Sequence, residues 1–365
     1  MPDHISLRNE ISELLGRGMH PLSNDDFNWL ALAVFRFQFD HNIPYRRYCE
    51  RRGALPTVIE HWLDIPAVPT AAFKEARLVA GDPAAAQAVF CTSGTTLGHE
   101  KRGSHYLLDL QLYEQSLLPT FQHFVLSGQC EMPMLSLVPE WHAESDSSLG
   151  YMVTTVLREL GSPDSTYGVT ESGIAAPEVH DWLRAHSEAD RPVCLIGTSL
   201  AFVHWFEELR RDQSAFVLPE GSRVMDTGGF KGAQISISST ELRQLYGTML
   251  GVGPRYVVNE YGMTEMLSQF YEAHLHAPIS ATNKQGPPWV RTAVVDPETL
   301  RPVPCGQTGL LRHLDLANLF SVSAIQTEDL GVETEHGFQL LGRAAGAPPR
   351  GCSIAMDLFL SSISR

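Results

Sequence analysis

Residues 92–96, Thr92-Ser93-Gly94-Thr95-Thr96, set hydroxyls around a glycine, and Gly98, Lys101 and Arg102 follow closely. That pattern suits a polyphosphate. Small residues let the backbone approach phosphate oxygens, N–H groups and hydroxyls donate together, and a flexible cation neutralises charge. Ser/Thr/Gly clusters are also ordinary turns, so the loop is read with two further segments. The strand-like run Arg255-Tyr256-Val257-Val258 leads into Asn259-Glu260-Tyr261-Gly262-Met263-Thr264-Glu265. Later come Gln326-Thr327-Glu328-Asp329-Leu330-Gly331 and Leu341-Gly342-Arg343. The chain carries neither G-x-x-x-x-G-K-[ST] nor G-x-G-x-x-G after a first strand, which excludes a P-loop NTPase and a dinucleotide fingerprint.

Three such segments in this order resemble the adenylate-forming superfamily, which activates carboxylic acids with ATP as acyl-adenylates. Within it the sequence is similar to the acyl-protein synthetase, or long-chain-fatty-acid luciferin-component ligase, family. That likeness includes Phe35 to Tyr48, Ile65-Pro66-Ala67-Val68-Pro69 with Phe73-Lys74, Ser147-Ser148-Leu149-Gly150-Tyr151-Met152, and Arg350-Gly351-Cys352. The resemblance implies that Thr92, Ser93, Gly94, Thr95 and Thr96 close over the β- and γ-phosphates, with Lys101, or Arg102 in its place, as the cation. It implies that Tyr261 of the Tyr261-Gly262 turn stacks on adenine while Gly228-Gly229 admits backbone to the ring edge. Thr264 would donate to the α-phosphate, Glu265 would ligate Mg2+, Asp329 would accept from the ribose hydroxyls, and Arg343 would bind ribose or phosphate oxygens.

A cysteine near the C-terminus accepts the acyl group in that family, and Cys352 matches it. A thioester needs a thiolate, which nearby cations favour. Arg350 would share a face with Cys352 if the segment is extended, and Ile354, Met356, Leu358 and Leu360 alternate like a strand. The resulting expectation is a short flexible tail delivering the thiol. His142 and His313 are the candidate bases. The other five cysteines, without C-x-x-C spacing, are expected to pack as small apolar residues.

The elements that position these residues read as α/β. Residues 23–40 form an amphipathic helix capped by Ser23, with Phe27, Leu30, Val34 and Phe37 on one stripe. Val89–Cys91, Val193–Ile196, Arg223–Met225 and Tyr256–Val258 each run into a glycine or hydroxyl turn, as in strand–turn–helix units of a mostly parallel sheet with helices on both faces. From residue 290 the pattern turns to antiparallel β. The expected organisation is a helical region over 1–85, an α/β nucleotide-binding core over 86–289, and a β-rich part with the acceptor tail over 290–365. The resemblance implies that acyl-CoA synthetases carry a C-terminal lid with an adenylation lysine after this segment; with residues 344–365 following Arg343, the expectation here is no separate large lid.

A net charge of -15 without a basic cluster argues against nucleic acid or an anionic membrane as partner. No apolar run reaches the roughly 18 residues of a membrane span and the N-terminus lacks a signal pattern, so the expected location is cytoplasmic. The expected activity is adenylation of a carboxylic, by resemblance fatty, acid and transfer to Cys352 for an acyl reductase or a carrier-protein partner. Two alternatives stay open: a ligase handing its acyl or aryl group to coenzyme A or a carrier protein, and a non-catalytic nucleotide-binding scaffold for a reductase.

Overall fold

The computed structural model describes residues 4–92, 102–129, 131–171, 173–228, 237–276, 282–344 and 349–363. Its helices are α1 (His4–Gly16), α2 (Asn24–His41), α3 (Ile43–Arg51), α4 (Leu110–Phe121), α5 (Ser148–Leu160), α6 (Ala176–Glu188), α7 (Ser199–Arg211), α8 (Ser239–Leu250) and α9 (Arg350–Ile363). The strands before residue 200 are β1 (Val68–Pro69), β2 (Ala88–Cys91), β3 (Ser104–Leu107), β4 (Met134–Ser136), β5 (Thr166–Tyr167), β6 (Val169–Thr170), β7 (Gly173–Ile174) and β8 (Cys194–Thr198). Then come β9 (Arg223–Thr227), β10 (Val257–Tyr261), β11 (Phe270–Glu272), β12 (Lys284–Gln285), β13 (Val290–Val295), β14 (Thr308–Asp315), β15 (Ala324–Thr334) and β16 (Gly337–Arg343).

One large sheet runs β13-β14-β15-β16-β12-β11-β10-β9-β8-β4-β5, with β1 added parallel to β15. Its β10-β9-β8-β4-β5 half is parallel. The half from β11 to β13 is antiparallel, as the sequence after residue 290 led one to expect. Fully buried strands explain the apolar runs: all five residues of β9 are buried, as are four of five in β8. The chain leaves β4 toward β5 on one side and builds β8, β9 and β10 on the other, so the carboxyl ends of β4 and β8 form a switch point where ligands collect.

Helix ends are set by local chemistry. Ser23 caps α2 through Asp26 N–H, Ser147 caps α5 through Gly150 N–H, and Ser238 with Glu241 forms a reciprocal capping box on α8. Phe27, Leu30 and Val34 are buried on α2 as their spacing implies.

Three expectations are corrected. Strand β2 lies outside the parallel sheet and pairs antiparallel with β3 in a two-stranded sheet of its own. After Tyr261 the chain likewise comes back as the antiparallel strand β11. The C-terminal segment is the helix α9, not an extended tail: Cys352, Ala355, Phe359 and Ser362 are buried, while Ile354 and Leu360 of the alternating set are exposed. Burial follows the helical period, and α9 docks with Phe359 edge-on to Tyr48 of α3. Among the described residues no helix is long and apolar enough to cross a membrane.

Candidate active site

The ends of β8, β9 and β10 bring the first group of candidate residues together. Thr227, last in β9, pairs with Glu260 of β10, so Gly228 follows β9 beside Tyr261, the last residue of β10. Gly228 takes a positive φ of 79°, and a side chain there would meet nothing within 4 Å among the described residues, which leaves backbone open on that side. Its carbonyl accepts from the Ser199 hydroxyl at the start of α7. At Gly262 the neighbour is a side chain. A Cβ there would lie 2.4 Å from Glu260 Oε1. That buried carboxylate, which accepts from the Thr227 hydroxyl, is pushed up to about 7, mainly by burial.

Tyr261 is buried, and its hydroxyl donates to Asp329 Oδ2 at 2.9 Å. Asp329 sits on β15 opposite Arg343 of β16. Arg343 is about half exposed, and its guanidinium is ion-paired with Glu328, its Nε 2.9 Å from Oε2. Desolvation pulls the Arg343 pKa down, but the hydrogen bond and charge of Glu328, with the charges of Asp329 and Glu265, together outweigh it and the net direction is up. Glu265, on the turn after β10, is buried, and desolvation pushes its carboxyl up to about 7 against the opposing pull of its own backbone N–H, Lys74 and Arg343. A buried carboxylate with a raised pKa and hard oxygens fits a divalent cation, whose charge would restore the ionised form. Thr264 holds its hydroxyl 3.3 Å from that of Ser148 at the start of α5.

Of the phosphate-loop residues only Thr92 is among the described ones; Ser93, Gly94, Thr95, Thr96 and Lys101, like Gly229, lie outside them. Thr92 and Gly103 close the base of the loop, with Gly103 N–H donating to Thr92 Oγ1. Arg102 braces that base: Nε donates to Thr92 O, Nη1 to Asp146 and Nη2 to Cys91 O. Its guanidinium is thereby engaged within the protein.

Cys352 lies in the first turn of α9, buried, with its thiol 3.7 Å from Thr327 O. Thr327 precedes Asp329 by two residues on β15, so the thiol rests on the same strand that carries the ribose candidate. Burial, with a contribution from Glu328, pushes it up to about 11. In a helix Arg350 and Cys352 point to different sides, which corrects the shared face expected of an extended tail. Neither candidate base is hydrogen-bonded to the thiol among the described residues. His313 is fully buried with Nδ1 on the Thr292 hydroxyl, and burial drives it down to about 3; His142 is exposed on a separate turn. Of the other cysteines, Cys49 and Cys194 are buried, Cys91 is half-buried and Cys305 is exposed, contrary to uniform packing.

Sequence reasoning missed His105. From β3 its Nδ1 faces Thr264 O at 2.7 Å and its Nε2 faces Asn318 Oδ1 at 3.1 Å, while Asn318 Nδ2 donates to Glu265 O. This buried relay ties the strand after the phosphate loop to the Thr264–Glu265 turn. A lone histidine in a strand carries no sequence signal for such a role.

The chain is 26% identical over 357 residues to a long-chain-fatty-acid–luciferin-component ligase of Vibrio harveyi, covering 90% of this chain and 86% of that protein. It is 24% identical over 314 residues to the ligase of the same name from Aliivibrio fischeri, covering 84% and 79%. Among solved structures, an open conformation of 2-hydroxyisobutyryl-CoA ligase superposes with a TM-score of 0.63 at 15% identity, covering 92% of this chain and 79% of that one. ATP-bound MatB from Rhodopseudomonas palustris gives 0.50 at 17% identity, covering 71% and 48%. These likenesses show an adenylate-forming fold. With the family model for acyl-protein synthetase, LuxE, matching residues 21–360, the chain belongs to that family.

Proposed function

We propose that this acyl-protein synthetase is a cytosolic enzyme that uses ATP and Mg2+ to activate a fatty acid as acyl-adenylate and then moves the acyl group onto its own Cys352. The observation that carries the reading is the Tyr261–Asp329 hydrogen bond at 2.9 Å, formed where Gly228 leaves backbone open and Glu265 is buried. The printed names of the Vibrio harveyi and Aliivibrio fischeri relatives support a long-chain fatty acid as the substrate class.

In this reading Tyr261 packs against adenine with its hydroxyl holding Asp329, whose other oxygen accepts from ribose. Thr264 donates to the α-phosphate, and Thr92, Ser93, Gly94, Thr95, Thr96 and Lys101 enclose the outer phosphates. Glu265 and phosphate oxygens would hold Mg2+, which supplies charge neutralisation. Arg343 would release Glu328 to meet ribose or phosphate. The catalysis is positioning and electrostatics.

In the second step the Cys352 thiolate attacks the acyl carbonyl carbon, the bond to the AMP phosphate oxygen breaks, and AMP leaves. In its docked place the thiol is pushed up to about 11. Because the thiol is buried, the start of α9 lifts in this reading; exposure restores an ordinary thiol, and the helix N-terminus favours its ionised form, with the proton passing to solvent. The thioester would be handed to an acyl reductase or carrier-protein partner. The burial of Cys352 favours one second reading, transfer to an external thiol such as coenzyme A.

Acid-dependent exchange of labelled pyrophosphate into ATP tests the first step. Exchange with straight-chain fatty acids that persists in Cys352→Ser is expected, because adenylation precedes thiol attack. Exchange without any acid, or none with acid, contradicts the reading.

A further inference from the structure

Among the described residues Lys74 and Arg343 act on Glu265 of the Thr264–Glu265 turn and Arg102 lies at the base of the phosphate loop; the two arginines are engaged. Arg102 is held by Asp146 and two backbone carbonyls, and Arg343 is paired with Glu328. Lys74 differs. It is exposed, forms no hydrogen bond or ion pair among the described residues, and lies close enough for its charge to act on Glu265.

Its backbone is fixed from several sides. Lys74 ends the 3-10 turn Thr70–Lys74, which packs on β1, β3, β15 and α9. The preceding Phe73 is buried with its ring edge-on to His105 at 5.8 Å, and His105 in turn holds the Thr264 carbonyl. Phe73 is also wedged against the base of the phosphate loop. A Cβ at Gly103 would come 3.3 Å from Phe73 Cβ, 3.4 Å from its carbonyl carbon and 3.2 Å from Thr92 Cγ2. A flexible four-carbon stem thus springs from a rigid junction between the loop base, the Thr264 turn and the strand bearing Asp329.

We propose that Lys74 is a catalytic cation of adenylation, its ammonium meeting phosphate oxygens between the loop base and the Thr264–Glu265 turn. This rests on the adenylation reading. In the step it serves, a carboxylate oxygen of the acid bonds to the α-phosphorus, the bond to the bridging oxygen breaks, and pyrophosphate leaves with that electron pair. No proton or redox partner is needed. Lys74 offsets the charge that builds on the phosphate oxygens, which a preorganised donor stabilises more in the transition state than in the ground state.

The test is acid-dependent ATP–pyrophosphate exchange by the full chain with a panel of straight-chain fatty acids, comparing wild type, Lys74→Met and Lys74→Arg. Lys74→Met should lower kcat about 100-fold with little change in KM for ATP or acid and an unchanged melting temperature, and Lys74→Arg should recover much of the loss. Full exchange by Lys74→Met overturns the role. So does a loss confined to KM, a loss tracking a lower melting temperature, or one that Lys74→Arg shares in full. No exchange by wild type would overturn the adenylation reading itself, and this role with it.

Discussion

Tyr261 and Asp329 are separated by 68 positions and meet at 2.9 Å, so each depends on the other for its place. Tyr261→Phe keeps the ring and removes one hydrogen bond, which should raise KM for ATP about 5- to 10-fold, an effect of roughly 1 kcal/mol, while kcat changes little. Steady-state kinetics check this; an unchanged KM would show that Asp329 is held without the hydroxyl. Glu265→Gln should cost about 100-fold in exchange and abolish its response to Mg2+, read by titrating the metal. The Tyr261-to-Glu265 turn was legible as a motif because its residues are adjacent in sequence, whereas the contact of Tyr261 with Asp329 spans the sheet. The clamp on Arg102 was not legible, since Asp146 lies 44 positions away, and neither was the relay through His105, which needs Asn318.

Strand ends followed glycine and hydroxyl turns closely at the scale of elements, because a buried strand must be apolar and must stop where the backbone turns. The C-terminal segment misled. Four apolar residues at every second position suggest a strand, but Cys352, Ala355 and Phe359 form the stripe that packs, and tertiary contact decides between the two periods. The start of α9 is tight: Gly351 N–H donates to Pro297 O at 2.8 Å, and a Cβ there would lie 2.7 Å from that same oxygen and 2.8 Å from Leu300 Cγ. Gly351→Ala should therefore displace the first turn of α9, destabilise the fold by about 1 to 3 kcal/mol, and speed labelling of Cys352 by a thiol reagent. Peptide mapping of the labelled chain reads the site and rate; unchanged labelling would show that the helix start does not guard the thiol.

The molecule as a whole buries ionisable groups of opposite tendency. Burial drives His105 down to about 4 and His313 to about 3, whereas it pushes Glu260 up to about 7. The two rings stay neutral when folded but take up protons near pH 6.5 when unfolded. Their stabilisation is thus fully present above about pH 6.5 and lost as pH falls toward 4 and 3. Glu260 acts oppositely, its protonated form stabilising the fold at low pH and losing that effect as pH rises through about 7. His313→Leu should remove one acid-sensitive contribution, so that its stability relative to wild type rises by on the order of 3 kcal/mol between pH 6.5 and 4. Urea midpoints across that range check it, and a constant difference would contradict it. The charge balance of the sequence pointed away from nucleic acid, but no pattern along the chain shows which charges end up buried.

The most direct measurement is the intact mass of the chain after incubation with Mg-ATP and straight-chain fatty acids, run beside Cys352→Ser and after a hydroxylamine wash. An added acyl mass that hydroxylamine removes and that the Cys352→Ser chain lacks is the predicted result. An adduct that survives in Cys352→Ser, or pyrophosphate release with no adduct at all, would contradict self-acylation at Cys352.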